Sequence, residues 1–464
     1  MGSVIGAGVL LACSACQHVE PAPIDAAANA ERLVSRSLTD PAVSAALALH
    51  GAGGDDSWSL DELTLAAWTL RTDLAVARAE VAAARAATVV AAQRPNPRVS
   101  TTTEKVVDGG AAEPWVLGAA LAFDLELGNK REIREQRATA EAAGLEWAFG
   151  EELWRARAEV RAALLDVALG ERLTEIDREE TQLTADFLAW VEARFARGAA
   201  TTSERLAALQ AANESASRRA LDETALATAL ATLAAAIGVP AQEVARVHPE
   251  SPPLSELPEI DRASVDRARD LAIVNRLDVR RALADYEVAE QDLRAAVSEQ
   301  YPDLTLAPGY LVDQGDHKIT LALDLPVPLF HGAKASIQRA IAGRAVAAAK
   351  FDEVQAAALA AIDVGFVRYE SSRGALLAAE RAELAASDAE ATLARRFAAG
   401  AADRGELLAG RIAVIGLKRA ALEARRVSIE AATALENGIQ SPLFPASSLE
   451  TSAAIGELLV GRSP

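Results

Sequence analysis

The chain has 464 residues, enough for two or three ordinary domains. Its formal net charge of −19 excludes nucleic acid as a partner, because the phosphates would repel it, and suits a solvated surface or a channel lining that favours cations. The hydrophobic fraction of 51% is carried largely by alanine, which builds helices well, buries little area and lets helices approach closely.

The chain opens on a short apolar run, residues 4–12, too short to span a bilayer. It ends in Leu10-Leu11-Ala12-Cys13, which resembles a bacterial lipobox, where a signal (residues 1–12) is cleaved before a Cys that then carries lipid. Cys13 is the candidate lipidation site, with Cys16 three residues on. No Lys or Arg precedes Arg32, so the usual basic segment of such signals is missing. Both cysteines lie here, which leaves no disulfide framework and no Cys-based metal site. A leader, residues 13–58, is punctuated by Gly51-Ala52-Gly53-Gly54.

Two similar units follow, residues 59–245 and 263–440, joined by a Pro-rich linker at 246–262. The first begins with a helical pattern over 60–93 that stops at Pro95-Asn96-Pro97; the second begins over 263–300 and stops at Pro302. Past each stop the apolar period changes from helical to alternating. Strands are predicted at 98–106 and 116–127, and again at 304–312 and 318–327. Leu117, Ala119, Leu121, Phe123 and Leu125 share one face of the second strand, and Ile319, Leu321, Leu323 and Leu325 one face of the fourth. Asp108-Gly109-Gly110 and Asp313-Gln314-Gly315-Asp316 form the turns. Each strand is long enough to cross a bilayer when tilted.

The longest helices are predicted at 129–197 and 333–399, free of Pro and each roughly 100 Å long. Such length without a breaker points to a coiled coil, and glycines at 144, 150, 170, 343, 365 and 374 mark bends or changes of partner. Return helices are predicted at 202–237 and 404–437, and a polar tail occupies 441–464.

The hairpin tips read almost alike: ARFARGAATTSERL at 193–206 and RRFAAGAADRGELL at 395–408. Phe195 matches Phe397, Gly198 matches Gly400 and Glu204 matches Glu406, each pair 202 residues apart. Upstream, Arg71 matches Arg276 and Asp73 matches Asp278, 205 apart. The chain therefore reads as a duplicated long helical hairpin. Each Gly suits the left-handed position that closes a helix, and Thr201 or Asp403 with Glu204 or Glu406 has the spacing of a capping box. Arg194, Phe195 and Gly198, with Arg396, Phe397 and Gly400, form two exposed aromatic and basic tips suited to docking a partner's helices.

No catalytic residues emerge. The histidines (His18, His50, His248, His317, His331) lack metal-binding spacing, and no nucleotide loop or nucleophile elbow is present. Asp313, Asp316 and His317 share the second turn, where a solvated loop is favoured over a cation site. Asp124 and Asp324 occupy matching strand ends and face a wet lumen or cap the strands.

From residue 60 to residue 437 the chain resembles a TolC-type outer-membrane efflux channel, through the two units, the paired strands, the RF-x-x-G turns and the lipobox at Cys13. Within that superfamily, Leu125-Glu126-Leu127-Gly128-Asn129-Lys130-Arg131 and Leu325-Pro326-Val327-Pro328-Leu329-Phe330 resemble segments of the CzcC-like heavy-metal branch, with Asn129 where that branch has a second Gly. The resemblance implies a mostly α fold with a small β part. The helical hairpins form an α-barrel, and four transmembrane strands per chain close a β-barrel only in a homotrimer. It implies an outer-membrane location, anchored by lipid, with a long periplasmic extension. The function is then that of a passive exit duct in a tripartite pump, not an enzyme, with a periplasmic adaptor and an inner-membrane RND pump as partners and heavy-metal cations as one candidate cargo. It implies no cofactor beyond the N-terminal lipid, and places Glu204 and Glu406 at a periplasmic gate. Closure by pooling also has a physical basis, since four strands cannot close and open edges are not tolerated in lipid. The competing readings are a periplasmic coiled-coil adaptor or scaffold, which would carry one hairpin and no strands with oily faces, and the exit duct of a type I secretion system.

Overall fold

A computed structural model describes residues 19–50, 57–107, 114–250, 257–327, 332–440 and 443. Cys13 with its lipid, Cys16, the glycine run at 51–54, the turn at 108–110, residues 328–331 and nearly all of the 441–464 tail lie outside the described residues.

The leader forms two short helices, α1 (Ala26–Val34) and α2 (Pro41–Leu49), each begun by an Asp side chain that accepts from free helix N–H groups. A two-residue strand, β1 (Ser57–Trp58), leads into α3 (Leu60–Leu70) and α4 (Thr72–Ala91). Strands β2 (Arg98–Lys105) and β3 (Trp115–Leu125) precede the long hairpin, α5 (Lys130–Phe195) and α6 (Thr202–Ile237). After a short α7 (Ala241–Val244), β4 (His248–Pro249) pairs parallel with β1 and ties the linker to the leader. The same order then recurs: α8 (Arg262–Asn275), α9 (Leu277–Ser298), β5 (Leu304–Asp313), β6 (Asp316–Asp324), α10 (Lys334–Ala398) and α11 (Arg404–Ile439).

One expectation is corrected in both units. The helices expected to run unbroken over 60–93 and 263–300 are each interrupted, at Arg71 and Arg276, whose ψ angles of 132° and 140° are extended. Neither Pro nor Gly is responsible. Arg71 forks onto Asp73, with Nε and Nη2 donating at 3.0 and 2.7 Å, and its Nη1 donates to the Ala236 carbonyl at the end of α6. Arg276 forks onto Asp278 at the same two distances and donates to Gly438 O near the end of α11. Each guanidinium thus satisfies carbonyls that a helix end leaves orphaned. The result is two helices laid end to end beside a long one: α4 and α6 along α5, and α9 and α11 along α10.

The main core sits at these joints. Leader residues Val43 and Leu47 meet Leu63, Trp68, Phe149, Leu153, Leu233 and Ile237, and the Trp68 indole donates to Leu153 O at 3.0 Å. A smaller core around Ile362, Phe366, Tyr369, Leu435 and Ile439 serves the second joint. The glycines of α5 do mark a change of partner: Gly144 and Gly150 face α9, whereas Gly170 faces Leu226 of α6. Gly343 and Gly374 of α10 face open space.

Candidate functional site

Three regions carry functional features: a sheet at one end of the long helices, two tips at the other end, and a seam between the hairpins. The sheet has the order β2-β3-β5-β6, every pair antiparallel, and β2 and β6 are its edges. The register puts Thr101, Ala119, Tyr310 and Ile319 in one row across the four strands, and Thr102, Gly118, Leu311 and Lys318 in the next. One face therefore carries Leu117, Leu121, Phe123, Tyr310, Ile319 and Leu321, and the other Ser100, Thr102, Gly118, Ala120 and Thr320. In β3 the large apolar side chains are the exposed ones and the small residues are half-buried. Ile319 keeps 89% of its surface exposed. A sheet in water does the reverse, so the expected alternation is present with its oily side outward.

Asp124 and Asp324 both sit opposite Thr305 at the helix end of the polar face. Asp124 pairs with Arg98 at 2.9 Å and accepts from Thr305 at 2.7 Å. At the far end Gln314 (φ 52°) and Gly315 (φ 96°) make a two-residue turn. There Lys318 takes Asp313 at 2.6 Å, and His317 bonds the Tyr310 hydroxyl through Nδ1 at 2.6 Å. These pairings favour the solvated loop over the cation site, and among the described residues no group of three metal-ligating side chains converges.

The segment 125–131 joins sheet to helix. Gly128 (φ 72°) and Asn129 (φ 57°) are both left-handed, and a methyl group at Gly128 would lie 3.0 Å from the Tyr301 ring. Asn is among the few residues besides Gly that adopt this conformation readily. Lys130 to Asp303 (2.8 Å) and Arg134 to Glu126 (2.5 Å) brace the joint.

The two tips have one design. Gly198 (φ 71°) and Gly400 (φ 72°) are left-handed, and the amides of Ala199 and Ala401 donate to Arg194 O and Arg396 O, each at 2.8 Å. Arg194 and Arg396 then return a side-chain bond to Ala199 O (2.8 Å) and Ala401 O (3.1 Å). Phe195 and Phe397 are exposed beside them. Glu204 accepts from the Thr201 amide at 2.6 Å, and Glu406 from the Asp403 amide at 3.3 Å, while their own amides donate back to Thr201 and Asp403. Both capping boxes are complete. The Thr201 amide and hydroxyl hold the Glu204 carboxyl below the usual range. Within this chain, then, the expected gate acids serve their own turns.

Sequence reading missed the seam, where α5 runs antiparallel to α11. Buried Glu436 accepts from Arg157 (3.1 Å) and Arg161 (2.8 Å). Leu165 and Leu169 pack on Ile429. Further along, Arg419 binds both Asp177 and Asp222. Burial, with the Asp222 carboxyl beside it, pushes Asp177 up to about 6. Nearest the tips, the Trp190 ring lies on Gly405. The residue types are ordinary for exposed helices, so only the register between hairpins exposes these pairs.

The central helices α5 and α11 are well buried, but their neighbours α6 and α10 are bare on the outside. Leu206 and Leu221 of α6, and Val367 and Leu384 of α10, stand exposed. Among the described residues α6 alone is long and apolar enough to cross a membrane by composition, yet it lies alongside α5 as half of a hairpin.

Residues 66–239 match the family model described as "Outer membrane efflux protein". No curated protein sequence matches the chain. Among solved structures, the outer membrane protein VceC of Vibrio cholerae aligns at 20% identity and a TM-score of 0.66, covering 82% of this chain and 95% of that one. The CmeC outer membrane channel of Campylobacter jejuni aligns at 12% identity and 0.66, covering 91% and 93%. The open MtrE outer membrane channel of Neisseria gonorrhoeae aligns at 17% and 0.63, covering 82% and 88%. The fold is that of the outer-membrane channels, mostly helical with a small sheet. The family match and the fold are those of transport ducts, not of enzymes.

Proposed function

We propose that the chain is the outer-membrane channel of a tripartite efflux pump, a passive exit duct in which three copies pool twelve strands into one barrel and six hairpins into one periplasmic tunnel. The observation that carries this reading is the sheet: four strands, two unpaired edges and an apolar face turned outward. Lipid favours that face and forbids those edges, so further copies must pair β2 with β6. The bare outer flanks of α6 and α10 need the same neighbours. In this reading the two hairpins are copies of one unit and Cys13 carries a lipid anchor. The tips at Arg194, Phe195 and Gly198, and at Arg396, Phe397 and Gly400, meet a periplasmic adaptor, which links the duct to an inner-membrane RND pump.

Glu204 and Glu406 ring the tunnel entrance as its gate, and their first duty is to cap their own helices. Heavy-metal cations are the cargo that the net charge of −19 and the joint at 125–131 favour. No tight metal site is needed for passage.

The test is direct. Membrane-extracted protein in detergent should run as a trimer by light scattering and give discrete conductance steps in a planar lipid bilayer. Soluble, monomeric protein without conductance would end the reading.

A further inference from the structure

The strand register sorts the charges of the sheet by face. All the carboxylates of β2, β3, β5 and β6, namely Glu104, Asp124, Asp313, Asp316 and Asp324, fall on the polar face, as do Arg98 and Lys318. The outward face of these strands carries no carboxylate, although the chain as a whole stands at −19. Its basic side chains are Lys105 and His317 alone. Both lie at the end farthest from the long helices. Lys105 pairs with Trp115 in the last rung of β2 and β3, and His317 pairs with Val312, next to the closing pair Asp313 and Asp316.

Each of these basic groups is backed by an aromatic ring. Lys105 Nζ lies over the Trp115 ring at 5.5 Å. His317 stacks on Tyr310 at 5.9 Å between centroids, and its Nδ1 bonds the Tyr310 hydroxyl at 2.6 Å. All four side chains are exposed. Neither Lys105 nor His317 makes an ion pair among the described residues, whereas Lys318, on the polar face, takes Asp313 at 2.6 Å. The two unanswered basic groups stand on opposite edge strands, three strand spacings or roughly 15 Å apart. The apolar side chains Leu117, Leu121, Ile319 and Leu321 occupy the outward face from there towards the helices. A basic and aromatic rim closing an oily face is the pattern that meets lipid headgroups.

We propose that the rim of Lys105, Trp115, Tyr310 and His317 binds the headgroup of an outer-leaflet glycolipid, a disaccharide with a phosphate at each end, one phosphate at Lys105 and the other at His317. This rests on the outer-membrane reading, in which the end of the sheet far from the helices reaches the outer leaflet. Charge decides the class of ligand: a face with two basic groups and no carboxylate favours an anion, on a chain that otherwise repels one. Ammonium and imidazole N–H groups give phosphate charge-assisted hydrogen bonds. The Tyr310 hydroxyl holds Nδ1 of His317, so Nε2 is the ring nitrogen left to reach the phosphate. The separation of the two basic groups favours a headgroup with two phosphates over a lipid with one, which can engage a single end. The acyl chains then lie on the oily face below, and the rings sit at the water boundary.

Native mass spectrometry of the detergent-extracted full chain tests it, with bilayer conductance measured alongside. The probes are a bisphosphorylated, acylated disaccharide glycolipid, its monophosphorylated form and phosphatidylglycerol. The wild type should hold the bisphosphorylated lipid about tenfold more tightly than either of the others, the worth of one further charge-assisted contact. Lys105→Ala and His317→Ala should each remove that preference, and Lys105→Arg should keep it. Lys318→Ala, exposed at the same end but on the polar face, should leave binding unchanged. Equal retention of the three lipids, undiminished preference in both Lys105→Ala and His317→Ala, or an equal loss in Lys318→Ala would each overturn the proposal. A wild type without conductance would sink the duct reading, whereas a conducting wild type that holds the three lipids alike would sink only this inference.

Discussion

The sheet and the helical seam are built from similar residues turned opposite ways. In β3 the leucines face out, and Gly118, Ala120 and Ala122 face in; along α5 and α11 the leucines face in and the charges that enter the seam meet charges of opposite sign. On the proposed duct reading, the difference reflects which solvent each region meets. Apolar outward faces cost free energy in water and none in lipid, while a seam of long helices in water must bury its leucines and satisfy every charge it encloses. About 40 Å of helix, from Lys130 to Arg157, separates the sheet from the start of the seam, and the left-handed pair Gly128-Asn129 marks where the chain leaves the sheet.

The comparison breaks first where a buried charge loses its partner. Glu436→Ala would take from Arg157 and Arg161 the buried carboxylate they share, at a cost of up to about 3–5 kcal/mol. A large fall in melting temperature by scanning calorimetry is expected; a fall no greater than that of an exposed substitution would show the seam to be wet. The sheet gives the converse test. Leu121→Arg on the outward face should cost about 2–4 kcal/mol in the membrane, with loss of inserted protein on fractionation, because a charge at bilayer depth has no water. Ala120→Ser, one residue away on the other face, should insert normally. If both variants insert equally, the faces have been assigned the wrong way round.

The smallest effect sharpens the seam. Asp177 has its carboxyl raised in the fold from an ordinary 3.8 to about 6, so the native state holds a proton that the unfolded chain has released. Stability from this site is therefore greatest below pH 4 and falls as pH rises through about 6. Melting temperatures measured from pH 4 to pH 7 should fall less steeply in Asp177→Asn than in the wild type. Parallel slopes would show that Asp177 titrates normally.

Much of this was legible beforehand. The alternation in 116–127 and 318–327 located the strands within a few residues, because a period of two survives whichever solvent the oily face meets. The tips were legible because Gly, a capping residue and Glu recur at fixed spacing, and local hydrogen bonds need only local sequence. The breaks at Arg71 and Arg276 were not, since no Pro or Gly announces them. Their signal was an Arg two residues before an Asp in both units, whose meaning depends on a carbonyl 162 or 165 residues away. The seam was invisible for the same reason: Trp190 and Gly405 become a pair only once α5 is laid against α11.

The matched lengths of the hairpins have a consequence of their own. The outgoing helices have 66 and 65 residues and the return helices 36 each, so the two bends lie almost the same number of residues from the sheet. In the proposed ring of chains the bends form a rim, each presenting the same turn to whatever docks there. Removing two helical turns from a single hairpin would notch that rim, while trimming both alike would merely shorten the pipe.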